Sequence, residues 1–263
     1  MNKVMKMTTK EYLNLIDKVN ENGKFKADWS SLSQHSVPEW YMHDKLGVFI
    51  HWGVYSVPAF GNEWYSRGMY DKNSREFEHH RKTWGEQKVF GYKDFIPMFK
   101  AEKFNASDWV SLFKIAGIKY VMPVAEHHDG FAMYETEFNR WNSKEMGPMR
   151  DVVGELKAEC EKQGLELCAS THRAEHYFFM NPGRLCDSDI NDEKYVDFYG
   201  PAVYCEEFDP AIIHITTADT YSKGASKEWL EDWLVRTCEI IDKYQPSVLY
   251  FDWWIHNHPF KPY

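Results

Sequence analysis

The sequence is short of positive charge. Its 263 residues carry 31 Lys and Arg against 40 Asp and Glu, a formal net charge of -9 at pH 7, which leaves no broad cationic surface for nucleic acid or an anionic membrane. Organised cysteine is also lacking. The five cysteines (Cys160, Cys168, Cys186, Cys205, Cys238) are odd in number and show neither CxxC nor finger-like spacing, so neither a disulfide framework nor a structural zinc site is supported. Long apolar runs are absent as well. The N-terminus, MNKVMKMTTKEYLNLIDKVNENGK, is interrupted throughout by charged and polar residues and offers neither a signal-peptide core nor a membrane span. A cytoplasmic protein is the expectation. No low-complexity segment and no sequence repeat is found.

Aromatic residues are abundant, with 11 Trp, 16 Tyr and 17 Phe. Two uses are open: a large core, or the apolar walls of a pocket for ligands such as sugars, which themselves pair apolar faces with hydroxyl groups. The chain length is also close to the roughly 250 residues of a closed (β/α)8 barrel.

Periodicity predicts a helix from Thr8 to about Asn20 with Tyr12, Leu15, Ile16 and Val19 on its buried face. Leu46–Ile50 reads as a short buried strand ending in His51-Trp52, followed by a long aromatic connection over 53–104. Within it, Ser74–Lys88 reads as a solvated loop. Asn105 caps a helix to Ala116, its stripe Trp109, Leu112, Phe113 and Ala116, before a second strand, Lys119–Val124. A helix over 151–163, stopped by Gly164, leads to a third strand, Leu165–Ser170. After a second long connection over 177–225, Ser226 opens a helix with Trp229, Leu230, Trp233, Leu234, Thr237 and Ile241 inside, and Ser247–Phe251 is the fourth strand. Strand and helix alternate in the order that parallel, right-handed crossovers require.

Each strand delivers polar or aromatic residues at its C-terminal end, where parallel α/β folds place their active sites. The clusters are His51-Trp52 with Glu63-Trp64-Tyr65, then His127-His128-Asp129, then His172 to His176, then Asp252-Trp253-Trp254. An ionised Asp among aromatic rings suits glycosyl transfer, because it can attack or stabilise an oxocarbenium-like centre. Adjacent His127 and His128 point to opposite sides of a strand unless the backbone turns there. Arg173 beside Glu175 suggests an ion pair at the rim. His51, His172, His176 and Asp252 could add to the histidine pair as metal ligands, but an HExxH pattern is missing, and no metal or other cofactor is expected.

At this point several blocks resemble a known family in order and spacing: LGVFIHWGVYSVPA, NEWY, AGIKYVMPVAEHHDGFAMY, RDVVGELKAECEKQGLEL and YQPSVLYFDWW. They are similar to the glycoside hydrolase family 29 α-L-fucosidases, from about Trp29 to the end of the chain, with HRAEHYFFMN and DFYGPA like a bacterial branch. The resemblance implies a (β/α)8-like TIM-barrel domain that cleaves terminal α-L-fucose, with retention, from glycoconjugates or oligosaccharides. It places the nucleophile at Asp252 and hydrogen bonds to fucose at His51, Glu63, His127 and His128, with Trp64 and Tyr250 as pocket aromatics. Two departures stand out: Glu126 where many members have Lys, and Thr171-His172 where many have Tyr-Ser.

The family's acid/base Glu and four further strands follow the nucleophile, whereas eleven residues follow Asp252 here. The expected architecture is therefore an incomplete (β/α)8-like barrel. Residues 1–28 form a helical leader and 29–263 the N-terminal part of the catalytic domain, truncated or split. It is expected to self-associate or to pair with a separately encoded half. The alternative is a catalytically silent fucose-binding or assembly subunit.

Overall fold

The computed structural model describes residues 7–201, 225–252, 255 and 260–263. Five strand segments form one parallel sheet: β1 Gly47–Ile50, β2 Tyr120–Glu126, β3 Glu166–Leu167, β4 Ala169–Thr171 and β5 Leu249–Phe251. The order is β1-β2-β4-β5, with β3 pairing β2. Sheet order follows chain order, as in a barrel wall, with no reversal among the described strands. The third predicted strand is divided at Cys168, which lets its first part pair Tyr120 and Val121 and its second part pair Val124 and Glu126 across a register shift.

The helices between strands begin and end on the signals that the sequence carries. Asn105 caps Ala106–Ile115 by accepting from the Ser107 and Asp108 amides, Asp151 caps Val152–Gln163, and Ser226 caps Lys227–Tyr244. Gly164 ends the second of these in the left-handed region at φ 76°, where a side chain costs energy. The leading helix, Thr9–Asn22, has a full capping box between Thr8 and Glu11. Tyr12 anchors it by donating a hydrogen bond to Asp242 on Lys227–Tyr244.

The helix faces differ from the predicted stripes. In the leading helix only Tyr12 is buried, and Leu15 and Val19 are exposed; Tyr12 meets Asp242 and the Phe138 ring. Ala106–Ile115 buries Ala106 and Val110 while Leu112 is 63% exposed; Trp109, half-buried, packs against Trp52 and Phe104. Lys227–Tyr244 buries Trp229, Leu230 and Trp233, and also Arg236 and Glu239, while Ile241 is exposed. Ser74–Lys88 is no solvated loop: Ser74 caps a helix, Arg75–Thr83, that buries Phe77 and His80. His80 lies between the Tyr65 hydroxyl and the Phe90 carbonyl.

The main core lies between the sheet and these helices, around Val121, Ala125, Leu156, Cys160, Leu167 and Ala169. Cys160, Cys168, Cys186 and Cys238 are free thiols; Cys205 lies outside the described residues. A second cluster joins Ala174, Tyr177 and Phe178 to Trp229, Leu230, Trp233 and Phe260. At the two ends of the sheet path, β1 and β5 are less buried than the sequence suggests, with Phe49 and Tyr250 exposed. No helix among the described residues is long and apolar enough to cross a membrane.

Candidate active site

The site forms where the strands end. His51 follows β1, His127 and His128 follow β2, His172 follows β4 and Asp252 follows β5. Although neighbours on an ideal strand diverge, the rings of His127 and His128 are only 4.3 Å apart. A turn closes here, with the Gly130 amide donating to the His127 carbonyl at 3.1 Å, and Gly130 adopts φ 79°. A Cβ at Gly130 would lie 2.5 Å from His176 Cε1, so both the conformation and the space require glycine. The buried Asp129 carboxylate locks the turn, accepting from the Tyr92 hydroxyl at 2.6 Å and the Phe131 amide at 3.1 Å. Burial raises its pKa to about 6 against these hydrogen bonds.

Four imidazoles and one carboxylate converge. His172 lies 5.0 Å from His127, 5.1 Å from His128 and 5.3 Å from His51, centroid to centroid. Asp252 Oδ2 stands 3.7 Å from His172 Nδ1 and 3.8 Å from His128 Nε2. Aromatic walls surround the group: Trp64 edge-on to His128, Phe179 against the same ring, Tyr55 against His127, and Phe49 touching His51, His172 and Tyr250. Glu63, half-buried, is close enough for its charge to favour protonation of His51, although burial outweighs it and lowers the His51 pKa.

The histidines differ in charge. Burial, reinforced by repulsion from the neighbouring imidazoles, drives His127 well below its ordinary value and His172 down to about 2, so both are neutral. Burial acts on His128 in the same direction, yet its pKa is raised because Glu175, the His172 carbonyl and Asp252 all favour the cation. His128 Nδ1–H donates to the His172 carbonyl at 3.1 Å, and Glu175 Oε2 lies 3.0 Å from the same nitrogen as an ion-pair contact.

Arg173 and Glu175 therefore do not pair with each other. Glu175 serves His128, whereas Arg173 bonds Glu126 at 2.7 Å and also Asp232. Glu126 turns away from the pocket and holds a second cation, Arg236, at 2.6 Å. The strand alternation that sends His127 to the rim sends Glu126 behind it. Every predicted site residue within the described set lies in or beside this group. Trp253 and Trp254 lie outside the described residues. His172 and Glu175 were under-weighted by sequence, although the strand-end position of His172, shared with His127 and Asp252, was a usable signal.

Comparison with known proteins decides the family. A family model described as alpha-L-fucosidase matches residues 13–262. The chain belongs to the alpha-L-fucosidase family. Tissue alpha-L-fucosidase of Rattus norvegicus is 41% identical over 142 residues, 54% of this chain and 30% of that protein. Alpha-L-fucosidase of Dictyostelium discoideum is 28% identical over 265 residues, covering 98% of this chain and 54% of that protein. The crystal structure of Thermotoga maritima alpha-fucosidase in complex with fucose superposes with TM-score 0.64 at 32% identity, over 87% of this chain and 50% of that one. The same enzyme in complex with a mechanism-based inhibitor gives TM-score 0.67 at 32% identity, over 87% and 49%. The chain thus spans about half, or less, of the length of these fucosidases. Its α/β fold with a parallel sheet is that of their barrel-like catalytic domain.

Proposed function

We propose that the chain is the nucleophile-bearing part of a retaining α-L-fucosidase that acts on terminal α-L-fucose of glycoconjugates or oligosaccharides. The observation that carries this reading is Asp252. It sits at a strand end, 37% exposed in its side chain and within 3.8 Å of two imidazoles, in a pocket walled by aromatic rings. In this reading an Asp252 oxygen attacks the anomeric carbon as the aglycone oxygen leaves with a proton, and water later releases fucose from the glycosyl-enzyme. His51, Glu63, His127 and His128 hydrogen-bond the sugar hydroxyls. The neutral imidazoles donate and accept, while Glu175 beside His128 biases that ring toward the donating cation. Trp64 and Tyr250 pack on the sugar's apolar face.

Retaining chemistry needs a second carboxyl group about 5–5.5 Å from the first. Glu175 is fully buried beyond His128 and is shielded from a leaving group. The exposed Phe49 and Tyr250 on β1 and β5 support the view that further β/α units close the barrel and supply the acid/base. A silent fucose-binding subunit is the second reading, favoured by the lack of a placed acid among the described residues.

Aryl α-L-fucosides, whose good leaving groups reduce the need for an acid, separate the two. Turnover that Asp252→Gly abolishes supports the first; fucose affinity without turnover in either form supports the second. Absence of any affinity for α-L-fucose would sink both.

A further inference from the structure

Three imidazoles at the rim are arranged as a metal would hold them. The ring centroids of His51, His127 and His172 are separated by 5.8, 5.3 and 5.0 Å, and one ring nitrogen of each lies within 4.8 Å of the others. A tetrahedral ion with Zn–N bonds of about 2.0–2.1 Å puts imidazole centroids about 5.2 Å apart and the ligating nitrogens about 3.4 Å apart. The ring separations of 5.0–5.8 Å bracket that spacing, and the ligand atoms, within 4.8 Å of one another, must draw closer to meet an ion.

The hydrogen bonding agrees. His127 Nδ1 and His172 Nδ1 are buried without a hydrogen-bond partner among the described residues, in residues 3% and 2% exposed. The other nitrogen of His172, Nε2, meets Ser170 Oγ at 2.7 Å. Metal-ligating histidines are held in this way, with the outer nitrogen hydrogen-bonded and the inner lone pair turned to the ion. Asp252 Oδ2 lies 3.7 Å from His172 Nδ1 but converges with a different pair, so the fourth position of the trio is left to water. His128, His172 and Asp252 form a second group whose ligand atoms converge within 4.8 Å.

We propose that His51, His127 and His172, with water as fourth ligand, form a site for a borderline-soft divalent cation such as Zn2+, and that the ion and a fucoside exclude each other. Three imidazoles favour Zn2+ over Mg2+ or Ca2+, which take oxygen ligands. An ion there occupies the lone pairs that would otherwise meet sugar hydroxyls, beside the carboxylate assigned as nucleophile. It would act as a competitive inhibitor. The metal site stands independently of the fucosidase reading; only the competition depends on it.

The test is a Co2+ titration of the chelator-stripped chain. One equivalent is expected to give the intense visible band of tetrahedral cobalt, and Zn2+ to displace it. His172→Gln and His51→Gln should each weaken Co2+ binding at least tenfold. Because His51 is exposed, its substitution gives a readout even where a buried variant fails to fold. L-Fucose should lower the apparent Co2+ affinity. A weak octahedral spectrum, or binding that both variants retain, would overturn the site. Undiminished Co2+ binding in a fucose-saturated protein would overturn the exclusion. Cobalt binding by a protein with no fucose affinity would leave the site standing and remove the fucosidase reading instead.

Discussion

Replacing Glu126 with Gln tests whether the rim rests on a buried charge network. Glu126 is 1% exposed; its two oxygens bond Arg173 at 2.7 Å and Arg236 at 2.6 Å. Asp232 is the second acid, in contact with Arg173 and 3.7 Å from Arg236, with its side chain 32% exposed. Two cations thus balance two anions. Gln keeps the shape but removes one charge and turns an amide N–H2 toward an arginine donor. Removing one member of a buried ion pair costs about 3–5 kcal/mol, because the partner is left buried and uncompensated. In a protein of this size each kcal/mol lowers Tm by roughly 2–4 °C, so a fall of about 6–20 °C is expected. Asp232→Asn, at the wetter side of the network, should cost less, about 1.5–3 kcal/mol. Reversible urea unfolding followed by circular dichroism measures both. A Glu126→Gln protein within about 1 kcal/mol of wild type would refute the reasoning. The main chain adds a functional consequence: the Glu126 carbonyl accepts the His172 amide at 2.8 Å, so a loosened network should also weaken sugar affinity.

Two further outcomes are expected. Glu175→Gln should lower the His128 pKa, which histidine-resolved NMR titration reads without any turnover. Since that pKa is raised in the folded chain, the contribution of His128 to stability is fully present below the ordinary histidine value and fades as pH rises through the folded value. The stability gap between wild type and variant should therefore narrow over that range, and a gap independent of pH would contradict the assignment. Gly130→Ala places a Cβ 2.5 Å from His176 at φ 79° and should cost about 2–4 kcal/mol through left-handed strain and overpacking. Thermal unfolding checks it, and an unchanged Tm would mean that the His127-His128 turn does not depend on glycine.

Where local signals decide structure, the sequence was legible. Asn105 and Ser226 stand at the helix starts read for them, Thr8 and Asp151 cap helices that were read to begin at those residues, and Gly164 ends one in the left-handed region. Helix faces were less legible. Leu112 and Ile241 fit an apolar stripe yet are exposed, while Arg236 and Glu239 are buried. Periodicity reports which residues can face a core, whereas burial depends on where the neighbouring elements sit. Ser74–Lys88 was misread because its charged residues hide Phe77 and His80, whose buried positions need Tyr65 and Phe90 from other segments.

The sequence by itself determined the order of strands and helices, the delivery of His51, His127, His128 and Asp252 to strand ends, and the blocks that mark the family. Short-range chemistry suffices for these: capping, period-two alternation and strand-end placement act within a few residues. Tertiary structure decided which charges meet. Glu126 finds Arg173 and Arg236 47 and 110 positions away, leaving Glu175 to His128. Only the parallel packing of β1, β2, β4 and β5 brings four histidines and Asp252 to one rim. A buried ionic group takes whichever partner the packing brings within reach, and sequence proximity does not specify that partner.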